Sequence, residues 1–228
     1  MPPSQLNISR NQISYLGVFS SPMLDWIGDF SDPSKALLQA IEPFGYGIDS
    51  LNITTATQPV SQQSAQVSFG GQGNYLCKLD RCEANFFNMN SQAQVLVAKV
   101  LGAADASLRE ANPEWGIRSH QFTYSAHGEL EAKSAKEMLQ QFQIQVPKQG
   151  GVSKGTGVIF RWHVPEKDWD TQLTLDESLV VKGGLFLSLM ISTEKSLTDF
   201  TEVLKDGHVY LTGVLGEMGI TLPPEGDA

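Results

Sequence analysis

Apolar and polar residues alternate strictly in Ala65-Gln66-Val67-Ser68-Phe69, the period of two that a half-buried strand requires. Around this segment the first half of the chain resolves into further elements. Ile13 to Ser20 is rich in β-branched and aromatic residues and reads as a strand, followed by the loop SPMLDWIGDFS. Asp32 then offers an N-cap side chain and Pro33 a first helical position, with Leu37, Leu38, Ile41 and Phe44 as the apolar stripe and Pro43 with Gly45 as the stop. Leu51 to Thr57, Tyr75 to Leu79 and Cys82 to Asn88 read as three more strands, the turn cluster Gly70-Gly71-Gln72-Gly73-Asn74 standing between the strand at Ala65 to Phe69 and that at Tyr75 to Leu79. Ser91 and Gln94 have the spacing of a capping box, and Val97, Val100, Leu101, Ala104 and Leu108 repeat at 3.6 residues until Asn112-Pro113 ends the helix. The order is β-α-β-β-β-β-α.

The second half shows the same order. Ser119 to His127 is a predicted strand, and Ala135, Met138, Leu139 and Phe142 place apolar groups at i, i+3, i+4 and i+7 on a helix. Gly157 to Val164, Thr171 to Leu175, Leu179 to Val181 and Leu185 to Ile191 are four predicted strands, separated by EKDWD, DES and KGG. Ser196 to Asp199 has the spacing of a second helix cap, after which Leu197, Phe200, Leu204, His208, Leu211, Leu215 and Met218 run down one helical face. The expected fold is therefore α+β, built from tandem duplicated β-α-β-β-β-β-α units over residues 1–112 and 113–228. They would pack as one pseudo-twofold unit, a two-layer antiparallel sheet with helices on one face. This order of elements resembles the duplicated saddle of TATA-box-binding proteins, and each half resembles a shortened helix-grip fold. The resemblance is one of topology across the whole chain and implies a saddle-shaped sheet.

Composition narrows the setting. With 228 residues, 41% hydrophobic and 18% charged, the chain carries enough apolar material for a sizeable core, which excludes disorder and coiled coil. A formal charge of −9 and a pI near 4.9 argue against a polyanionic partner such as nucleic acid, and depart from the DNA-binding saddles. MPPSQLNISRNQ has neither a cationic nor an apolar signal region. No run reaches the length of a membrane helix, and the closest, Leu179 to Ile191, is interrupted by Lys182, Gly183 and Gly184. Two cysteines make no disulfide framework. A soluble cytoplasmic protein is expected, with no membrane association.

Chemistry-bearing patterns are sparse. Cys77 and Cys82 would face each other across a hairpin, yet no further ligand completes a zinc site, so two reduced thiols packed as small hydrophobes are expected. GGVSKGTG at 150–157 misplaces the lysine of a phosphate loop and leads into a strand, and Gly70, Gly71 and Gly73 link two strands; both read as turns. Asp25, Asp29 and Asp32 beside Trp26 and Phe30 match no metal-loop spacing. His120, His127, His163 and His208 stand in no catalytic or metal-binding motif. No cofactor is implied.

Val158 to Val164 is the most informative segment. Alternation puts Val158, Phe160, Trp162 and Val164 toward the core and Ile159, Arg161 and His163 on the opposite face. On the last strand Leu185, Leu187, Leu189 and Ile191 match the core, leaving Phe186, Ser188 and Met190 beside the Arg and His set. Arg with Phe and Met is a composition of contact surfaces, whereas Lys and Glu dominate idle ones. The function expected is a non-enzymatic binding or assembly protein that uses an open sheet face, through Ile159, Arg161, His163, Phe186 and Met190, or the groove between its halves. Its partner would be another protein or a second copy. The alternative is a small-molecule carrier or enzyme with a cavity between sheet and helix, in which His120 and His208 supply the polar groups.

Overall fold

The computed structural model describes residues 3–54, 58–142, 157–197 and 199–223. Along them run β1 (Ser4–Phe19), α1 (Ser31–Ile41), β2 (Leu51–Thr54), β3 (Ser64–Ser68), β4 (Gly73–Cys77), β5 (Arg81–Phe87) and α2 (Ser91–Ala111). They continue as β6 (Ile117–Leu130), α3 (Ala135–Gln140), β7 (Val158–Val164), β8 (Trp169–Glu177), β9 (Leu185–Thr193), α4 (Phe200–Glu217) and β10 (Ile220–Thr221). All ten strands belong to one open sheet in the order β2-β3-β4-β5-β1-β6-β9-β8-β7, and β10 pairs with β1 off this path. The hairpins β2/β3, β3/β4, β4/β5 and β7/β8 are antiparallel, whereas β10 lies parallel to β1, Ser4 opposite Ile220.

The chain is α+β as expected, but its architecture overturns the duplicated saddle that the element order suggested. The sheet is large, antiparallel in the main and open, with four α-helices scattered along the described residues, and it is neither a TATA-box-binding-protein-like saddle nor a helix grip. The repeat fails at a definite place. Leu179 to Val181, predicted as a strand, is a turn, so among the described residues three strands stand between α3 and α4 where four stand between α1 and α2. The Ser178 hydroxyl causes this by accepting the backbone N–H groups of Val180 at 3.1 Å and Val181 at 2.8 Å, which withdraws them from any ladder. Gly183 then turns the chain at φ +72, a conformation open to glycine without strain.

Helix starts also differ by one or a few residues from the sequence reading. For α1 the local bond is made by Asp29, whose carboxylate accepts Ser31 N–H at 2.8 Å, while Asp32 falls inside the first turn. For α2 the cap is Asn90 and not Ser91, because the extended backbone of Asn90 aims its side chain at Ala93 N–H, 2.9 Å away. Asp199 serves α4, accepting Thr201 N–H at 2.7 Å. A full capping box, Ser134 with Glu137, starts the six-residue α3.

The chain divides into two compact units, one of residues 1–12, 123–191 and 205–228, the other of residues 13–122 and 192–204. In the second, α1 packs on α2 and β3, and Leu37, Val67, Tyr75, Leu101 and Leu108 are among its buried side chains. In the first, Leu173 and Leu175 of β8 and Leu185, Leu187, Leu189 and Ile191 of β9 are buried at every second position, as the period of two demands. The inner row of β7 departs from expectation: Val158, Phe160, Trp162 and Val164 are only half-buried. β7 ends the strand order, so among the described residues the inner row has a neighbouring strand on one side alone. Its cover comes from Phe142, whose ring lies 5.6 Å from that of Phe160, and from Tyr210 of α4, whose hydroxyl receives the Trp162 indole N–H.

Candidate functional site

The candidate face lies within the first unit, on β7, β8 and β9. Register sets Ile159 opposite Thr174, Arg161 opposite Gln172 and His163 opposite Asp170, so the outward row of β7 continues into that of β8. Arg161 donates from Nε to Gln172 Oε1 at 2.7 Å, which ties the guanidinium to the neighbouring strand and leaves donors on its terminal nitrogens for other partners. The His163 ring lies with Nδ1 3.0 Å from Asp170 Oδ1 and Nε2 3.9 Å from Asp168 Oδ1. Asp168 stands at φ +56, the left-handed conformation the tight β7/β8 connection imposes. On β9, Phe186, Ser188 and Met190 are half-buried and share the outward parity. The structure thus puts Ile159, Arg161 and His163, all exposed, on the outward row of β7, and Phe186 and Met190 on that of β9, with β8 between the two strands.

Three neighbours were not legible as site residues. The His127 ring of β6 lies 4.8 Å from that of Phe186, and His127 Nδ1 is 2.9 Å from Ser178 Oγ. Because that oxygen already accepts two backbone N–H groups, its own proton is free to go to Nδ1, which fixes the neutral ring as the Nε2–H tautomer. Partial burial, then the nearby Arg10, hold the His127 pKa below its ordinary value, in keeping with a neutral ring. The loop so anchored is tied further by Ser178 N–H to Gly184 O at 2.8 Å and by Ala135 N–H to Gly183 O at 3.2 Å. It presents Leu179 100% exposed and Val180 beside it half so. A fully exposed leucine on a loop with this many internal bonds is a preformed apolar knob. Its sequence signal is the Leu-Val-Val triplet, which reads as a strand until the serine before it is given its turn-forming role.

The other candidates separate cleanly. Cys77 and Cys82 are directly opposite in register, free, and buried. Burial pushes the Cys82 thiol up to about 12 and Cys77 well above the usual thiol value, so neither forms a thiolate near neutrality. We expect a thiol reagent to find no reactive group in the native protein and two after denaturation without reductant; native reactivity at either position would contradict this packing. Of Asp25, Asp29 and Asp32, Asp29 is engaged at the start of α1 and Asp32 lies 3.8 Å from Lys35. Among the described residues no group of three or more His, Cys, Asp or Glu is placed to hold a metal ion. The glycine-rich segment at 150–157 lies, Gly157 excepted, outside the described residues.

The two histidines of the alternative reading each lie within a separate unit. His120, 3% exposed, belongs to the second unit and bonds Tyr15 through Nδ1 at 2.9 Å, while His208 belongs to the first and meets Tyr124 edge-on at 6.4 Å. An apolar recess in the second unit, about 300 Å³ with part open to solvent, is lined by Tyr46, Phe69, Phe86, Met89, Leu96 and Val97 among others, with no histidine and no carboxylate. No helix among the described residues is long and apolar enough to cross a membrane. No protein-family model matches the chain, and no curated protein matches it.

Proposed function

We propose that this chain is a non-enzymatic binding or assembly protein whose contact surface is the outward face of β7, β8 and β9 together with the Leu179 knob. The observation that carries this reading is the composition of an open face: Ile159, Phe186 and Met190 are interspersed with Arg161, His163, Gln172 and the carboxylates Asp170 and Asp176, and neither lysine nor glutamate stands on these outward rows. Cross-strand bonds already fix Arg161 and His163, so little side-chain freedom is lost when a partner orders them. The partner that suits this face is a protein surface with carboxylates for the guanidinium and apolar groups for Phe186, Met190 and Leu179.

Affinity capture from the source organism with wild type and with the Arg161→Ala, Met190→Ala double variant tests the reading. The double variant should hold the wild-type partner at least about tenfold more weakly while its stability changes by less than about 1 kcal/mol, because neither side chain belongs to the buried row. Equal capture by both proteins overturns it.

A further inference from the structure

We propose that two copies of this chain associate through the free edge of β7, pairing antiparallel so that one sheet runs on into the other. The inference concerns the strand's edge and stands independently of the face described above.

β7 ends the strand order, so among the described residues one row of its backbone N–H and C=O groups has no strand beside it. Natural edges are blunted by proline, inward lysine, bulges or shortness. The opposite edge, β2, is blunted by shortness, with four residues, Leu51–Thr54. β7 has none of these devices: its seven residues, VIFRWHV, contain no Pro, Gly or Lys and pair one to one with β8 from Val158 to Val164 without a bulge. Its inner row is also unfinished. Val158, Phe160, Trp162 and Val164 are half-buried, whereas the inner row of β8 next to it, Trp169, Thr171, Leu173 and Leu175, is buried throughout. A further strand carrying large apolar groups at alternate positions would complete that layer, and β7 of a second copy is such a strand.

Charge selects both the place and the register. The chain is acidic at −9, yet β7 carries Arg161 and His163 and no carboxylate, so repulsion between copies is weakest there. Pairing centred on Arg161 would set two guanidinium groups directly opposite each other, which is unfavourable. Pairing centred on Phe160 instead puts Phe160 against Phe160 of the partner subunit, Val158 against Trp162 of the partner subunit and Ile159 against Arg161 of the partner subunit. This register keeps the aromatic row together on the inner side and separates the cations on the outer one.

Sedimentation velocity on the full chain from about 1 to about 100 µM at physiological salt should show a monomer–dimer equilibrium. Val158→Lys, which points a charge inward along the edge, should weaken it at least about tenfold while the monomer keeps the wild-type far-ultraviolet circular dichroism. Separate Ile159→Cys and Arg161→Cys variants, both altered on the exposed row, should form a disulfide-linked dimer under mild oxidation when mixed and not when alone. The Phe186→Ala, Met190→Ala variant, altered on β9 and away from the edge, should dimerise as wild type does, which separates this proposal from the function assigned to the face. A wild type that stays monomeric to about 100 µM, or a dimer that Val158→Lys leaves intact and that the mixed cysteines fail to trap, overturns the proposal.

Discussion

Acidification from pH 7 to pH 4 is expected to remove on the order of 3 kcal/mol of stability through His120 alone. The ring is 3% exposed, and burial lowers its pKa from the ordinary 6.5 to about 4. Tyr15 of β1 bonds Nδ1, Phe200 of α4 meets the ring edge-on, and from α2 Asp105 raises the pKa while Arg109 lowers it. The two α2 charges are themselves paired at 2.9 Å and largely offset each other, which leaves desolvation in command. The sign follows from proton counting. Between the two pKa values the unfolded chain binds a proton that the folded one refuses, so stability is full above about pH 6.5 and falls as pH drops toward 4. Urea unfolding across this window should give a sloping profile for wild type and a flatter one for His120→Gln. Parallel profiles would remove His120 from the account.

Leu187→Ala should cost about 2 to 5 kcal/mol, the range for truncating a fully buried leucine whose site cannot collapse. Leu187 is 0% exposed on β9, which lies between β6 and β8 in the sheet, so strands on both sides hold the cavity open. Met190, three positions along and on the opposite parity, is half-buried, and its truncation should cost less than about 1 kcal/mol. The midpoint of denaturant unfolding reads the difference, provided the slope is the same in both variants. Equal losses would mean that the outward face of β9 is covered as thoroughly as the inward one.

What the sequence disclosed followed from how local each signal is. The β-α-β-β-β-β-α order was legible from Ile13 to Ala111 because most elements there are either alternating, as β3 is, or long and periodic, as α2 is, whereas the first nine residues of β1, Ser4 to Gln12, were not read as strand because polar residues dominate them. The caps slipped because Asn90 and Ser91 are both good cap residues and only the backbone angles decide between them. Leu179 to Val181 was misread because three apolar residues look like a strand whether or not their N–H groups are available, and the Ser178 hydroxyl takes two of them. β10 escaped notice since two residues, Ile220 and Thr221, carry no period. Parity placed Ile159, Arg161, His163, Phe186 and Met190 on outward rows. That β7 would lie at an edge, and so leave Trp162 half-exposed, depends on strand order, which is a property of long-range pairing and not of any segment.

The interleaving of the two units has a consequence for synthesis. Residues 13–122 are contiguous and hold most of the second unit, so they can begin to pack while the rest of the chain is still being made. The first unit has no such head start. Its opening residues, where Ser4 N–H bonds Gly219 O at 2.8 Å and Ser4 pairs with Ile220, wait for a partner at the far end of the chain. Until α4 and β10 emerge, that part of β1 lacks its parallel neighbour and the inner row of β7 lacks Tyr210. A nascent or prematurely ended chain therefore leaves a stretch of β1 unpaired and part of the inner row of β7 without the cover that the finished molecule gives it, and in that interval it is exposed to misassembly.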